Sequence, residues 1–565
     1  MGRLRSVHDH ALSTRRRRRT TTSRVIVVTT SSPPSDFIVI GAGSAGAAVA
    51  HRLSADPRHK VLLLEAGRAS HPWSRIPIGS ARLIQNPEAN WLYSAEPEAT
   101  TNGRRIPVPR GKLLGGSSAI NGMAFVRGQA QDFDTWAQMG NQGWAYDDVL
   151  PFFKRMESYE PGEGDDRFRG RTGPIPVTNP KPREPVFQAL IKAAAEVGIA
   201  HNPDYNGATQ DGIVMSQASI SRGWRMSTAR TYLDPIRNRA NLRIETDALA
   251  EGLLFDGTRC VGVRYAFGGE AREATAAREV VVCGGTINSP QLLELSGIGQ
   301  PERLKALGID VRQALPGVGE NLRDHYAPRT RWAVGAKGYT YNDIARGLGW
   351  ITQGLKFAFL NQGLLASVGA PIRAFVRSRE GLAAPDLLLG WVSMLMEPGP
   401  KGPRLSRQSG MTCYAHPMRP ESKGTIHITS SDPRTPPAIH FNFLAAPIDA
   451  ELTVRAIRIA RSIMYAQAMT PLQLTELGPG PEAQTDEEII DWVKRTAETT
   501  YHPVGTCKMG HDPMAVVDDR LRVHGIQGLR IADASIMPTL TSGNTNAPAI
   551  MIGEKAADMV LADAR

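Results

Sequence analysis

Asp36-Phe-Ile-Val-Ile-Gly41-Ala-Gly43-Ser-Ala-Gly46 joins four apolar residues, suited to a buried strand, directly to Gly-x-Gly-x-x-Gly, and the helix-prone Ala47-Ala-Val-Ala-His-Arg-Leu53 follows without a break. That order is a dinucleotide-binding turn. Gly41 permits the tight turn, Gly43 lets a pyrophosphate approach the backbone, and Gly46 lets helix and strand pack closely, so phosphate charge meets the free N–H groups of the helix. A second apolar run, Val61-Leu-Leu-Leu64, ends on Glu65, nineteen residues after Gly46, where a carboxylate can hydrogen-bond the hydroxyls of an adenosine ribose. The glycines alone would be a weak signal; strand, helix and acid at these distances together predict an ADP-containing cofactor.

The 565 residues are too many for one simple core and predict two or three domains. A hydrophobic share of 41% and a charged share of 21% describe an ordinary globular protein. The net charge of +11 is concentrated at the start: residues 1–35 hold eight arginines against Asp9, a tail of +7 that leaves +4 elsewhere. No body-wide basic face and no nucleic-acid partner are implied. That tail is rich in Ser and Thr and poor in large apolar residues, so it is expected to be disordered. Its apolar Val25-Ile-Val-Val28 is shorter than an export signal core. Cys260, Cys283, Cys413 and Cys507 form no Cys-x-x-Cys, which argues against a metal cluster or disulfide scaffold and fits a reducing cytoplasm. The longest apolar run, Leu387 to Met396, is too short to span a bilayer and reads as a buried strand. The expected location is the cytoplasm, free or peripheral to the inner membrane, with no transmembrane segment.

Further along, Asp132 to Met156 shows apolar spacing interrupted by Gly140, Gly143 and Pro151, which suggests two short helices. Asn241–Glu245 and Cys260–Tyr265 alternate like half-buried strands, and Glu279–Cys283 is a continuous apolar run entering Gly284-Gly285. A helix is expected after Ser289-Pro290 and should stop at Gly297. Asp204-Tyr-Asn-Gly207 reads as a turn at a domain junction, and Trp73 and Trp91 as core or cofactor-covering residues. Cys283 and Cys507 are expected only to pack.

Gly111-Lys-Leu-Leu-Gly115-Gly116-Ser-Ser-Ala-Ile-Asn121-Gly122 concentrates glycines, hydroxyls and one amide side chain in a loop able to offer backbone N–H groups to an anion or to ring carbonyls. This segment resembles the first signature of the glucose-methanol-choline (GMC) family of FAD-dependent oxidoreductases, and Gly285 to Gly299 resembles the second. The likeness runs from about Asp36 to Val560 and is strongest to the bacterial choline and aliphatic-alcohol dehydrogenase branch. It implies an α/β fold, α+β overall: a discontinuous Rossmann-like FAD-binding domain (36–185, 216–330 and 500–565) and a substrate-binding domain (an excursion at 186–215, then 331–499) built on an antiparallel sheet flanked by helices.

Tyr501-His502-Pro503 and Ser542-Gly543-Asn544-Thr545-Asn546-Ala547-Pro548 are similar to the family's catalytic segments, with His502 matching the base and Asn546 the second active-site residue. An imidazole with an ordinary pKa of about 6.5 is neutral and basic enough near pH 7 to take a hydroxyl proton. Pro548 suits the first turn of a helix through Val560, whose positive end would lie near the flavin. The resemblance further implies cofactor contacts at Gly41, Gly43, Ser44, Ala45, Gly46, Glu65, Ala66, Trp91, Arg110, Leu113, Gly115, Gly116, Ser117, Asn121, Gly122, Met123, Ala124, Ala248, Asp533, Ala534, Asn544, Asn546 and Pro548. Covalent members attach FAD through a histidine in the first-signature loop, where this chain has Ser118-Ala-Ile-Asn121, so the FAD is expected to be noncovalent.

The implied reaction is oxidation of a primary alcohol to the aldehyde, by a dehydrogenase passing electrons to a quinone-type carrier in preference to an oxidase passing them to oxygen. A lyase on the same fold is the rival from another class. A choline substrate would call for an anionic or aromatic site, and the scattered Trp332, Tyr339, Tyr341, Trp350 and Phe375 form no readable cage; an uncharged primary alcohol fits as well. Monomer and homodimer are both compatible with the sequence.

Overall fold

The computed structural model describes residues 29–30, 34–160, 162, 164–179, 185–397 and 404–564. Most of the expected disordered tail therefore lies outside the described residues. Strand β1 (Ser35–Ile40) and strand β2 (Val61–Leu64) lie parallel, Phe37 opposite Val61 and Ile40 opposite Leu64, with helix α1 (Ser44–Leu53) crossing between them. Their side chains are buried on both faces, which is why both runs are continuously apolar rather than alternating. Gly41 sits at φ +100° with its N–H donating to Leu64 O at 2.8 Å, a conformation that a side chain would strain.

Helices α2 (Ala130–Gln138) and α3 (Tyr146–Met156) follow, separated at the glycines as expected, with Pro151 tolerated inside α3. The chain then leaves this sheet for helix α4 (Pro185–Glu196) and strand β3 (Gly212–Met215). It returns with β4 (Leu242–Glu245), parallel to β2, and with β5 (Ala248–Asp256), β6 (Arg259–Phe267) and β7 (Glu270–Val282). The first half of β7 closes an antiparallel meander with β6 and β5; the second half lies parallel to β1. Strand β5 escapes the alternation pattern because its register shifts between Ala250 and Gly252.

Helix α5 (Gly285–Leu295) begins before the expected Ser289-Pro290 and runs through Pro290. A proline inside a helix leaves the carbonyl four residues earlier without its donor. Here that carbonyl, on Thr286, accepts from Thr506 Oγ1 at 2.6 Å, so the tertiary structure supplies what the helix cannot. The helix stops as expected, with Gly297 at φ +81°.

The second sheet takes β8 (Arg329–Val334), β9 (Ile372–Val376), β10 (Leu387–Val392), β11 (Gly410–Pro417) and β12 (Leu474–Gly478), with helix α6 (Gly349–Leu360) between β8 and β9 and helix α7 (Pro447–Met464) before β12. Its order is β12-β8-β11-β10-β9-β3, all antiparallel, so the strand from the early excursion completes its edge. Alternation divides the sheet: Ile372, Ala374, Leu387, Leu389, Trp391, Met411 and Cys413 pack on α4 and α7. Arg373, Tyr414 and His416, one residue out of step, therefore point to the opposite face. Strand β13 (Leu529–Ile531) then rejoins the first sheet beside β7, giving the parallel order β4-β2-β1-β7-β13, and helix α8 (Asn546–Asp563) packs on α1. Contact is close because Gly553 faces Ala45, where a Cβ would stand 2.4 Å from the Ala45 oxygen.

Among the described residues, no helix is long and apolar enough to cross a membrane.

Candidate active site

Between the carboxyl ends of the parallel strands and the polar face of the second sheet lies a cavity of about 1240 Å³. This exceeds the roughly 300–1,000 Å³ of an ordinary small-molecule pocket and leaves room for a dinucleotide beside a substrate. Gly41, Gly43, Ser44, Ala45, Glu65, Ala66, Trp91, Arg110, Gly116, Ser117, Asn121, Gly122, Met123, Ala124, Ala248, Asp533, Ala534, Asn544, Asn546 and His502 all line it. Four expected contacts do not. Gly46 is pressed beneath Gly41, Leu113 is fully buried beside Leu83 and Ala119, Gly115 turns the loop at φ +89°, and Pro548 is buried within α8.

The cavity wall suits an ADP-containing group. A Cβ added at Gly43 would meet nothing within 4 Å, so the backbone is open to a close-approaching ligand. The N-termini of α1 and α8 carry no side-chain cap and both open onto the cavity, leaving N–H groups and positive dipole ends for anionic groups. Glu65 accepts from Ala42 N at 3.0 Å and Gly67 N at 2.8 Å, which fixes its carboxyl at the cavity edge. Burial pushes its pKa up to about 7, against those two amides.

At the other end His502 faces the cavity. Its hydrogen positions follow from its partners. His325 Nε2 stands 2.7 Å from Met418 O and must donate, because a carbonyl only accepts. Neutral His325 therefore keeps a lone pair on Nδ1, 3.0 Å from His502 Nδ1, and Thr500 Oγ1 lies 2.8 Å from the same nitrogen. The proton of His502 sits on Nδ1, which leaves the lone pair on Nε2. A second chain of partners reaches the same end point. Arg373 Nη1 donates to Asn544 Oδ1 at 2.7 Å, since a guanidinium only donates, so the amide turns its Nδ2 toward His502 Nε2 at 2.8 Å. Burial holds the His502 pKa well below 6.5, with His416, Arg110 and Arg373 acting in the same direction. Burial likewise keeps His325 well below its usual value, and His416 falls to about 4. Asp324 Oδ1 accepts the backbone N–H of both His502 (2.9 Å) and His325 (2.8 Å), tying the two imidazoles to one anchor. Burial raises Asp324 to about 7.

Both asparagines are expected at the cofactor, and Asn546 also as the second active-site residue. Asn544 makes the contact with His502, whereas Asn546 Oδ1 accepts from Ser44 Oγ at 2.7 Å, beside the glycine turn. The physical reason is the start of α8: Asn546 is its first residue and its side chain turns toward α1, while Asn544 still belongs to the loop under the second sheet. Sequence reasoning also left out Arg373, His325 and His416. Arg373 had one signal, a lone cation within the apolar Ile-Arg-Ala-Phe-Val strand.

Residues 35–327 and 420–553 match two family models, each described as GMC oxidoreductase. Oxygen-dependent choline dehydrogenase of Escherichia coli O139:H28 is 42% identical over 536 residues, covering 93% of this chain and 95% of the relative. Among solved structures, pyridoxine 4-oxidase from "Mesorbium loti" superposes with a TM-score of 0.83 at 29% identity, covering 93% of this chain and 98% of that one. An FAD-dependent oxidoreductase from Chaetomium thermophilum gives 0.86 at 26% identity, with 94% and 100% covered.

Proposed function

This chain belongs to the GMC oxidoreductase family, FAD-dependent enzymes acting on CH–OH groups, and on that premise we propose that it oxidises an uncharged primary alcohol to the aldehyde, with His502 as proton acceptor. The observation that carries this reading is the unprotonated Nε2 of His502, a residue of the cavity wall, whose lone pair accepts only the amide of Asn544 at 2.8 Å.

When bound, FAD supplies the acceptor for the hydride that leaves the carbinol carbon. The chain's own residues do the rest. His502 Nε2 takes the hydroxyl proton, a role typically worth ~10²–10⁴-fold in rate. As the alcohol enters, its hydroxyl replaces Asn544 Nδ2 as donor to His502 Nε2, and the freed amide donates to the alcohol oxygen and holds it in line with that nitrogen. Arg373, buried and pinned to Ser216 Oγ at 2.9 Å, fixes the amide and offsets the negative charge that develops on the oxygen as its proton departs. The bare amides of α1 and Gly43 suit the pyrophosphate, and Glu65 suits the adenosine ribose.

Because the His502 pKa lies well below 6.5, the base is already neutral at physiological pH and loses its lone pair only as the pH falls. In a pH profile of kcat/KM, the limb belonging to His502 is expected below pH ~6.5, with no further gain from this group between pH 7 and 9. A limb assigned to His502 with a midpoint above pH 7.5 would contradict the assigned environment.

The FAD is held noncovalently in this reading. His502 is the only histidine lining the cavity among the described residues, and the one lining cysteine, Cys283, has its thiol pushed well above the usual range by burial. Acid precipitation should release all yellow colour into the supernatant, and colour retained on the pellet would refute the point.

The substrate reading follows from charge. Among the described residues, only Glu65 and Asp533 line the cavity as acids, and both are engaged by backbone amides. The outer part instead presents Arg373 and Arg404 beside Leu364, Val392, Met394, Met396 and Leu405, with the rings of Tyr341, Trp350 and Tyr414 also in the lining. Arg404 is paired with Glu397 at 2.9 Å, but Arg373, bonded to the neutral Ser216 and Asn544, would face a quaternary ammonium with a positive charge. Anaerobic bleaching of the flavin across alkanols, benzyl alcohols, polyols and choline tests this. Uncharged primary alcohols should exceed choline by at least ~10-fold in kcat/KM, about 1.4 kcal/mol; choline as the best substrate would overturn the assignment. In the same samples, reduction of a dye acceptor in excess of peroxide formation is expected of a dehydrogenase.

A further inference from the structure

Among the described residues, five arginines line the cavity, and four of them have their charge answered or left in solvent. Arg329 pairs with Glu498 at 3.0 Å and Arg404 with Glu397 at 2.9 Å. Burial lowers Arg110 to about 10, with the charge of Asp324 opposing it, and Arg82 is exposed over the Trp73 ring. Arg373 is the exception. It is 1% exposed, and its two side-chain bonds go to neutral groups, Nε to Ser216 Oγ at 2.9 Å and Nη1 to Asn544 Oδ1 at 2.7 Å. Those use two of the five donors of a guanidinium, which is always charged and costly to bury without a counter-charge. Nη2 makes no hydrogen bond among the described residues; unlike Nε of Arg225 it is not sealed from solvent, and the cavity is what its residue borders.

The sheet builds a shelf beside that cation. Gly390 stands opposite Arg373 on β10 and Tyr414 opposite Gly390 on β11, and the Tyr414 ring lies over the bare glycine, where a Cβ would stand 2.2 Å from its Cζ. Val392, two residues on and so on the same face, continues the cavity wall toward Met394 as an apolar lining. A buried positive charge with free N–H groups, at the end of an apolar wall, is the recognition pattern for a carboxylate on a short apolar chain. The pyrophosphate of the cofactor does not supply that charge, since the bare amides of the glycine turn suit it. We propose that Arg373 is an anion subsite for small monocarboxylates, the carboxylate on Nη2 and the chain along Val392 and Met394. The subsite stands on Arg373 alone; its overlap with the alcohol rests on the function proposed above, because Asn544 is bonded to both Arg373 and His502. The acid formed when an aldehyde product is oxidised once more keeps the carbon chain of the alcohol and carries this charge. It would take the place of the alcohol and hold the enzyme back.

Equilibrium dialysis of the full-length, flavin-loaded protein against radiolabelled butyrate, at fixed ionic strength, reads the subsite without turnover. A single saturable site is expected, and unlabelled butyramide, of the same shape without the charge, should displace the label at least ~10-fold less well than butyrate. Arg373→Met, checked for flavin content and melting temperature, should lose at least ~10-fold in affinity, and Arg373→Lys, which keeps the charge without the fork, should fall between. Butyrate should also raise the KM for 1-butanol without lowering kcat. No saturable binding, equal displacement by butyramide, or full affinity in Arg373→Met overturns the proposal, and binding with no effect on KM overturns the shared place. If neither variant holds flavin, the butyramide comparison on the wild-type protein decides. A chain that binds butyrate yet oxidises no alcohol would defeat the proposed function and leave the subsite standing.

Discussion

His502→Ala should retain bound flavin and slow its reduction by alcohol by at least ~10²-fold, up to ~10⁴-fold. The size follows from what is removed. His502 is the only imidazole lining the cavity among the described residues, and the lone pair that its two sets of partners leave on Nε2 has no substitute within reach. His325 is no replacement, because the lone pair it keeps, on Nδ1, lies on the Nδ1 side of His502, away from Nε2, and the residue sits fully buried behind His502. Flavin retention is expected because the residues suited to the pyrophosphate and ribose, at the glycine turn and Glu65, are untouched by the substitution. Rapid mixing under anaerobic conditions, followed at the flavin band, separates the outcomes. Near-wild-type reduction would remove His502 from its role, and a colourless protein would show that it acts on cofactor retention instead.

The second large effect is at the glycine turn, where two neighbouring glycines should fail in different ways. A Cβ at Gly46 would stand 1.9 Å from Gly41 O and 2.9 Å from Cys283 Cβ. Neither neighbour can yield easily, because Gly41 N is bonded to Leu64 O at 2.8 Å and Cys283 N to Ile40 O at 2.7 Å. Gly46→Val should therefore cost at least ~2 kcal/mol of stability and yield protein without flavin. A Cβ at Gly43 meets nothing within 4 Å. Gly43→Val should accordingly fold with an unchanged melting temperature in the flavin-free state, yet bind FAD poorly, because its side chain projects where the pyrophosphate must approach. Thermal melting of apo-protein and the flavin-to-protein absorbance ratio measure both. Equal stability of the Gly46 variant, or full flavin content in the Gly43 variant, would contradict the turn geometry.

How far such a site can be read from sequence depends on the range of the forces that shape each part. The parallel sheet was legible because Phe37–Ile40 and Val61–Leu64 are buried on both faces, so their apolar runs declare themselves locally. Strand β5 was not, because a bulge breaks its period, and the start of α5 was misplaced because Thr506, 220 residues from Thr286, satisfies the carbonyl that Pro290 leaves bare. The same division runs through the site. His502 and the glycine turn lie in contiguous motifs. The groups that set the His502 tautomer arrive from elsewhere, His325 lying 177 residues away and acting through Asn544, Arg373 on a strand of the other sheet. No local pattern encodes those meetings. The choice between Asn544 and Asn546 turns on where a helix begins, a boundary that composition leaves uncertain by the two residues that matter here.

The central claim is that the missing group in His502→Ala is a proton acceptor at one point in the cavity, and the most direct measurement is rescue of that variant by free imidazole. Added imidazole should restore alcohol-dependent bleaching of the flavin in proportion to its unprotonated concentration, with no effect on the wild-type protein. Bleaching that stays slow at every imidazole concentration, in a variant that still holds its flavin, would contradict the account.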